Sequence, residues 1–133
     1  MELGIPNKIL VVGSFHPLRD TILNALMIRW RGTKVIPVIS GDEALKLIND
    51  GNNEEKLMAL VTEQTPCSGE KTSGIDLIKA ARAKNPEIKC VLVAEEADSS
   101  WLKGLLADEG LTGMITVIGC YDYDILKKIP TAL

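Results

Sequence analysis

Short runs of branched aliphatic residues alternate along the chain with longer stretches in which apolar residues recur at spacings of three and four. The runs predict strands at 8–12, 35–39, 57–61, 90–94 and 114–118, and the periodic stretches predict a helix after each, so the chain reads as five βα units. In the first helix Pro17 suits the opening turn, Leu18, Ile22, Ala25 and Leu26 share a face, and Gly32 lies near the end. The second opens on Ser40-Gly41-Asp42-Glu43, a capping-box pattern in which the Ser40 hydroxyl accepts the Glu43 amide and the Glu43 carboxylate reaches back to Ser40. Ala44, Leu45, Leu47 and Ile48 form its buried face, and the polar run 50–55 ends it. Gly74 opens the third helix, Ile75, Ile78 and Ala81 or Arg82 share its inner face, and Asn85-Pro86 stops it. Asp98 or Ser99 caps the fourth, which carries Trp101, Leu102, Leu105 and Leu106 and takes Gly110 as its C-cap. A short fifth helix at 123–129 is cut off by Pro130.

The first strand is almost wholly apolar, as expected of a parallel strand covered on both faces, whereas the second contains Pro37, which has no N–H to give to a ladder. The first strand is therefore central and the second lies at an edge. With right-handed helical crossovers, this predicts an α/β fold: a flavodoxin-like, three-layer (βα)5 sandwich with parallel strand order 2-1-3-4-5. Ligand sites in such sheets lie outside the carboxyl ends of the strands. Here that pole collects Gly13, Ser14, Thr62, Glu63, Ala94, Glu95, Glu96 and Val117.

The 133 residues, with 46% hydrophobic content, suit one domain spanning 1–133. A formal net charge of −3 leaves no basic footprint for nucleic acid. No apolar stretch approaches the roughly 20 residues that span a bilayer. Cys67, Cys90 and Cys120 are odd in number and lack metal-ligand spacing, and the N-terminus lacks the pattern of a secretory signal, so a cytoplasmic setting is expected. Cys90 reads as a small buried hydrophobe.

Four stretches carry more information together than apart. Val11-Val12-Gly13-Ser14-Phe15 ends the first strand, Ser40-Gly41-Asp42-Glu43-Ala44-Leu45 opens the second helix, the third runs Gly74-Ile75-Asp76-Leu77-Ile78-Lys79-Ala80-Ala81-Arg82, and Pro66 lies four residues after Thr62. In this order and spacing the chain resembles, over nearly its whole length, the receiver domain of bacterial response regulators, the family that includes the chemotaxis receiver protein. Receivers accept a phosphoryl group from a histidine kinase onto an aspartate, hold Mg²⁺ with an acidic pair, and read the phosphoryl group with a Thr or Ser and a Lys.

By that resemblance the acidic pair falls on Gly13 and Ser14, the acceptor on Thr62, the sensor on Ala94 and the lysine on Val117, and every one departs from the family pattern. Mg²⁺ requires anionic oxygens that Gly13 and Ser14 lack, and a threonine hydroxyl cannot form an acyl phosphate. Without metal and lysine the charge of a transferring phosphoryl group is unneutralised. The expectation is a degenerate phospho-acceptor pocket with no catalytic residue, metal or cofactor, in a domain that works in signal transduction by binding a protein partner. That partner is a kinase, an effector or a second copy. The resemblance implies a partner or homodimer face on the fourth helix, fifth strand and fifth helix, where Trp101, Met114, Tyr121 and Tyr123 are the interface candidates.

Other readings compete at single residues. Glu63 reads as a solvated loop glutamate; the sharper alternatives are a fixed negative charge or a displaced phospho-acceptor, the latter requiring a one-residue shift that reverses the face a strand residue presents. Glu63, Glu95 and Glu96 together are a candidate carboxylate cluster for a divalent cation. His16 reads as structural. Gly13-Ser14-Phe15-His16-Pro17 also resembles the Gly-x-Phe-Asp-Pro entrance of nucleotidyltransferases, an enzyme alternative whose required His-x-x-His-type pair is replaced by Leu18-Arg19-Asp20-Thr21. The polar segment 67–73 lengthens the loop after the third strand and reads as a tolerated insertion or a partner-binding lid.

Overall fold

The computed structural model of the chain describes residues 7–15, 18–50, 56–65, 69 and 71–133. His16, Pro17, Pro66 and Cys67, which carry expectations above, lie outside them, as do 51–55 and, within the segment 67–73, residues 68 and 70. Strands β1 (Asn7–Val12), β2 (Lys34–Val38), β3 (Lys56–Glu63), β4 (Lys89–Ala94) and β5 (Thr116–Gly119) alternate with helices α1 (Arg19–Arg29), α2 (Gly41–Asn49), α3 (Gly74–Lys84), α4 (Ser100–Asp108) and α5 (Ile125–Ala132). All pairings are parallel, in the order β2-β1-β3-β4-β5 expected from Pro37, which sits exposed on the edge opposite Val11. No helix among the described residues is long and apolar enough to cross a membrane.

Alternation along the central strands builds two cores. Leu10, Val12, Leu60, Leu92 and Ala94 face one side of the sheet and pack with Ala44 and Ile48 of α2, Leu77 and Ile78 of α3, and Leu102 of α4. Ile9, Val11, Val61 and Val93 face the other, against Ile22 and Leu26 of α1 and Ile125 and Ile129 of α5. Cys90 belongs to the first core, and the cost of burying its charged form pushes the thiol up to about 11, as suits an inert filler.

The helix starts follow their hydroxyl caps. Ser40 Oγ accepts from Glu43 N at 3.1 Å, and Ser99 Oγ accepts from Leu102 N at 3.1 Å. A reciprocal capping box stands at α3: Asp76 N donates to Ser73 Oγ at 3.2 Å, and Ser73 N donates to Asp76 Oδ2 at 3.0 Å. Three elements differ from the sequence reading by two residues or more. β3 continues through Thr62 and Glu63, because β4 offers partners at Leu92 and Val93 that local pattern does not reveal. β5 begins at Thr116, because Gly110 and Gly113, with φ of 70° and 77°, turn the chain before it; Met114 sits in that turn, and its amide bonds to the Leu111 carbonyl. α5 starts at Ile125 and runs through Pro130 to Ala132, since a proline in the last turn forfeits a single N–H donor and Thr131 Oγ1 donates to the Lys127 carbonyl at 2.8 Å.

The junction between β3 and α3 positions the carboxyl pole. Gly74 N donates to the Gln64 carbonyl at 2.9 Å, and a Cβ on Gly74 would lie 2.3 Å from the Glu63 carbonyl oxygen and 3.0 Å from Leu92 Cδ1. The helix thus enters directly against the end of the strand. Gly74→Ala is expected to lower stability by about 1–3 kcal/mol in urea denaturation, since backbone must move to admit the methyl. Gly104→Ala, on α4 with open space around the added carbon, is expected to raise it by roughly 0.5–1 kcal/mol. Equal effects would refute the steric account.

Candidate functional site

At the end of β1 the chain turns with Gly13 at φ 129° and Phe15 at φ 47°, and Phe15 drops into the core beneath α1 and α5. Gly13 N donates to the Val38 carbonyl at 2.8 Å, which ties the turn to the end of β2. Over this turn lies the side chain of Glu63, the last residue of β3. Its Oε1 accepts from Ser14 N at 2.8 Å. A Cβ at Gly13 would stand 2.1 Å from Oε1 and 2.7 Å from Cγ, so the carboxylate fills the space that any side chain at Gly13 would enter. Glu63 is therefore a half-buried strand-end residue held by the preceding loop, which corrects its reading as a solvated loop glutamate. Desolvation pushes its carboxyl above the ordinary 4.5, against the pull of the Phe15 and Ser14 amides.

The other positions assigned to the pocket by resemblance do not converge on one opening. Thr62 is fully buried, and its Oγ1 donates to the Glu63 carbonyl at 2.9 Å. Ala94 is buried in the core beside α2, α3 and α4, and its carbonyl accepts from Cys120 N at 2.9 Å. Val117 pairs with Leu92, two residues before the end of β5, and packs against that same core. What reaches the pole from the β5 side is Cys120, just past the strand, followed by Tyr121 and Asp122. Sequence reasoning named Tyr121 as an interface candidate but did not bring it, Cys120 or Asp122 to this pole, because the two-residue offset of β5 is set by its ladder to β4 and leaves no local signal.

Ser14, Glu63, Glu95, Cys120, Tyr121 and Asp122 line a cleft of about 740 Å³, with Leu18 and Val93 as apolar lining and Tyr123 beside them. Asp122 accepts from Lys128 Nζ at 2.6 Å and from Asp124 N at 2.8 Å, bonds that hold its carboxyl below the usual carboxylate range. Desolvation first, then the charges of Glu95 and Glu63, push the Cys120 thiol up, which makes it a poor nucleophile. All four interface candidates are exposed: Trp101, Met114, Tyr121 and Tyr123. The two tyrosines belong to the cleft; Trp101 and Met114 do not line it.

Among the described residues no three His, Cys, Asp or Glu side chains gather closely enough to hold a metal ion, so the cluster imagined from Glu63, Glu95 and Glu96 is not assembled. Nor do the residues fit the Mg²⁺ site that the receiver resemblance implies. Gly13 and Ser14 bring no carboxylate, and the one carboxylate at the β1 turn is engaged by backbone amides.

No protein-family model matches the sequence, and no curated protein does either. Solved structures do match the fold. A response regulator receiver protein from Sinorhizobium medicae superposes with a TM-score of 0.70 at 18% identity, covering 98% of this chain and 93% of that one. A CheY-like response regulator receiver domain protein from Methanospirillum hungatei gives 0.65 at 18% identity, covering 96% and 93%. The non-phosphorylated receiver domain of the stress response regulator RcsB from Escherichia coli gives 0.59 at 15%, covering 96% and 89%. At these identities the likeness establishes the flavodoxin-like, receiver-type fold.

The geometry at Glu63 has a consequence for pH. Because its folded-state pKa is raised, the folded protein keeps the proton to higher pH than the unfolded chain does, and stability is lost as pH rises from about 4.5 through the raised value. Glu63→Gln, isosteric and uncharged, is expected to melt above the unsubstituted protein near pH 7, with an advantage that shrinks toward about pH 4.5 in circular-dichroism scans. An advantage that widens in acid would contradict the assignment.

Proposed function

We propose that this chain is an atypical receiver that works in signal transduction without aspartyl phosphate, presenting a fixed surface to a protein partner. The observation that carries this reading is the Glu63 carboxylate folded over Gly13, where a receiver's metal-binding acid would project. A conventional receiver brings metal, acceptor and lysine to one pocket so that phosphoryl charge is neutralised as it arrives. Here Thr62 is buried, Ala94 is a core residue, Val117 is a partly buried residue packed against that core, and the Ser14 amide already serves Glu63. Switching by phosphoryl-dependent rearrangement has no chemical handle in this arrangement. Binding does, through exposed apolar and aromatic side chains: Trp101 on α4 and Met114 before β5 are candidate anchors for a kinase, an effector or a second copy.

Incubation with acetyl phosphate and Mg²⁺, followed by intact-mass measurement, is expected to leave the mass unchanged. A stoichiometric acid-labile adduct would overturn the reading. Loss of such an adduct in Glu63→Gln would then assign Glu63 as a displaced acceptor.

A further inference from the structure

We propose that the free edge of β5 takes an extended, acidic segment of a protein partner as a sixth strand of the sheet. The inference rests on the partner-binding reading above and names the form and charge of what is bound. In a parallel ladder, successive residues direct their N–H and C=O groups to alternate sides of the strand. Cys120 N donates to the Ala94 carbonyl at 2.9 Å, so Ile118 and Thr116 share its direction toward β4, and Val117 and Gly119 turn their backbone groups to the open side. The Gly119 carbonyl accepts from Asp122 N at 3.0 Å, whereas Val117 N–H, Val117 C=O and Gly119 N–H have no hydrogen-bond partner among the described residues. An added strand running in either direction satisfies all three. The other edge of the sheet is closed to such a guest. Gly13 N donates to the Val38 carbonyl, so Val38 faces β1 and Pro37 takes the outward place, where an added strand would need the N–H that proline lacks. Thr116–Gly119 contains neither a proline nor a charged side chain, two devices that keep strands from adding to an edge.

Grooves of about 470 and 640 Å³ lie along β5, both bordered by Val117 and Ile118. A partner residue opposite Val117 shares the face on which Val117 packs, and its two neighbours lie on the α5 face with Ile118. On the α5 side the groove is bordered by Lys127, which is exposed and has no acidic partner among the described residues, whereas Lys128 is held by Asp122 at 2.6 Å. Asp124 borders the same groove without pairing with Lys127. The groove on the other side is bordered by Glu96 and Asp98. The complementary segment therefore alternates acidic residues, directed to Lys127, with apolar ones opposite Val117 and Gly119. A Cβ on Gly119 would meet nothing nearer than Ala97 Cβ at 3.9 Å, which leaves that place open to a partner's side chain. A second copy fits less well. Two β5 edges paired antiparallel keep both α5 helices on one face and turn the lysines of one copy toward those of the other.

The test is amide hydrogen exchange by NMR on the whole chain with and without the peptide Gly-Glu-Val-Glu-Val-Glu-Gly, beside fluorescence polarisation of that peptide, its lysine analogue and an N-methylated analogue that cannot donate. Saturable binding of the acidic peptide alone is expected, with exchange at the Val117 and Gly119 amides slowed about tenfold and that at Ile118, which faces β4, unchanged. Lys127→Glu should weaken binding about tenfold, and the charge-matched Lys89→Glu, exposed at the far end of β4, should leave it unchanged. Val117→Pro, which gives β5 the feature that Pro37 gives β2, should abolish binding with the circular-dichroism spectrum retained. Equal binding of the lysine or N-methylated peptide, equal loss in Lys89→Glu, or a dimer of the chain that protects Val117 and is not displaced by peptide would each overturn the proposal. No peptide binding together with an unchanged mass in acetyl phosphate sinks the added strand and leaves the phosphorylation-independent reading standing; a phosphoryl adduct with peptide binding intact does the reverse.

Discussion

The carboxylate of Glu63, lying over the bare Cα of Gly13, is the contact on which the character of the carboxyl pole depends. It works in both directions. Gly13 must be glycine, because its φ of 129° disfavours a side chain and because Oε1 occupies the space a Cβ would need. Glu63 in turn is drawn partly out of water, a cost reduced but not cancelled by the Ser14 and Phe15 amides that the turn presents to it. A negative charge is thereby built into the end of β3 at a place where the receiver fold elsewhere brings acids, a metal and a transferred group together.

That internal charge changes what the pole can do. The Ser14 amide is already satisfied by Glu63, and the β1 turn is pinned on one side to β2 through Gly13 and on the other to β3 through Ser14. A loop held at both ends has little reason to rearrange. Glu95 and Asp122 line the cleft beside two exposed tyrosines, so acidic and amphipathic aromatic side chains share this face.

Much of the fold was legible along the chain for reasons that can be named. Pro37 marks an edge because it lacks an N–H, the apolar run before Val12 marks a strand buried on both faces, and Ser40 and Ser99 mark helix starts because their hydroxyls satisfy orphan amides. Boundaries that depend on a neighbour were not. Thr62 and Glu63 are polar and resemble loop, yet β4 extends the ladder to them; Met114 resembles strand, yet two left-handed glycines turn the chain before it.

The candidate site divides along the same line. Residue order alone led to the expectation of a pole with uncharged side chains at Gly13, Ser14, Thr62, Ala94 and Val117, because residue identity fixes which atoms can ligate a cation or carry a phosphoryl group. Only the tertiary structure decided that Glu63 folds back over Gly13, that Val117 packs against the core, and that Cys120, Tyr121 and Asp122 line the cleft beside Glu63. The physical reason is that these depend on register and on the direction of side chains from strands far apart in sequence, which parallel pairing sets in three dimensions and no local pattern encodes.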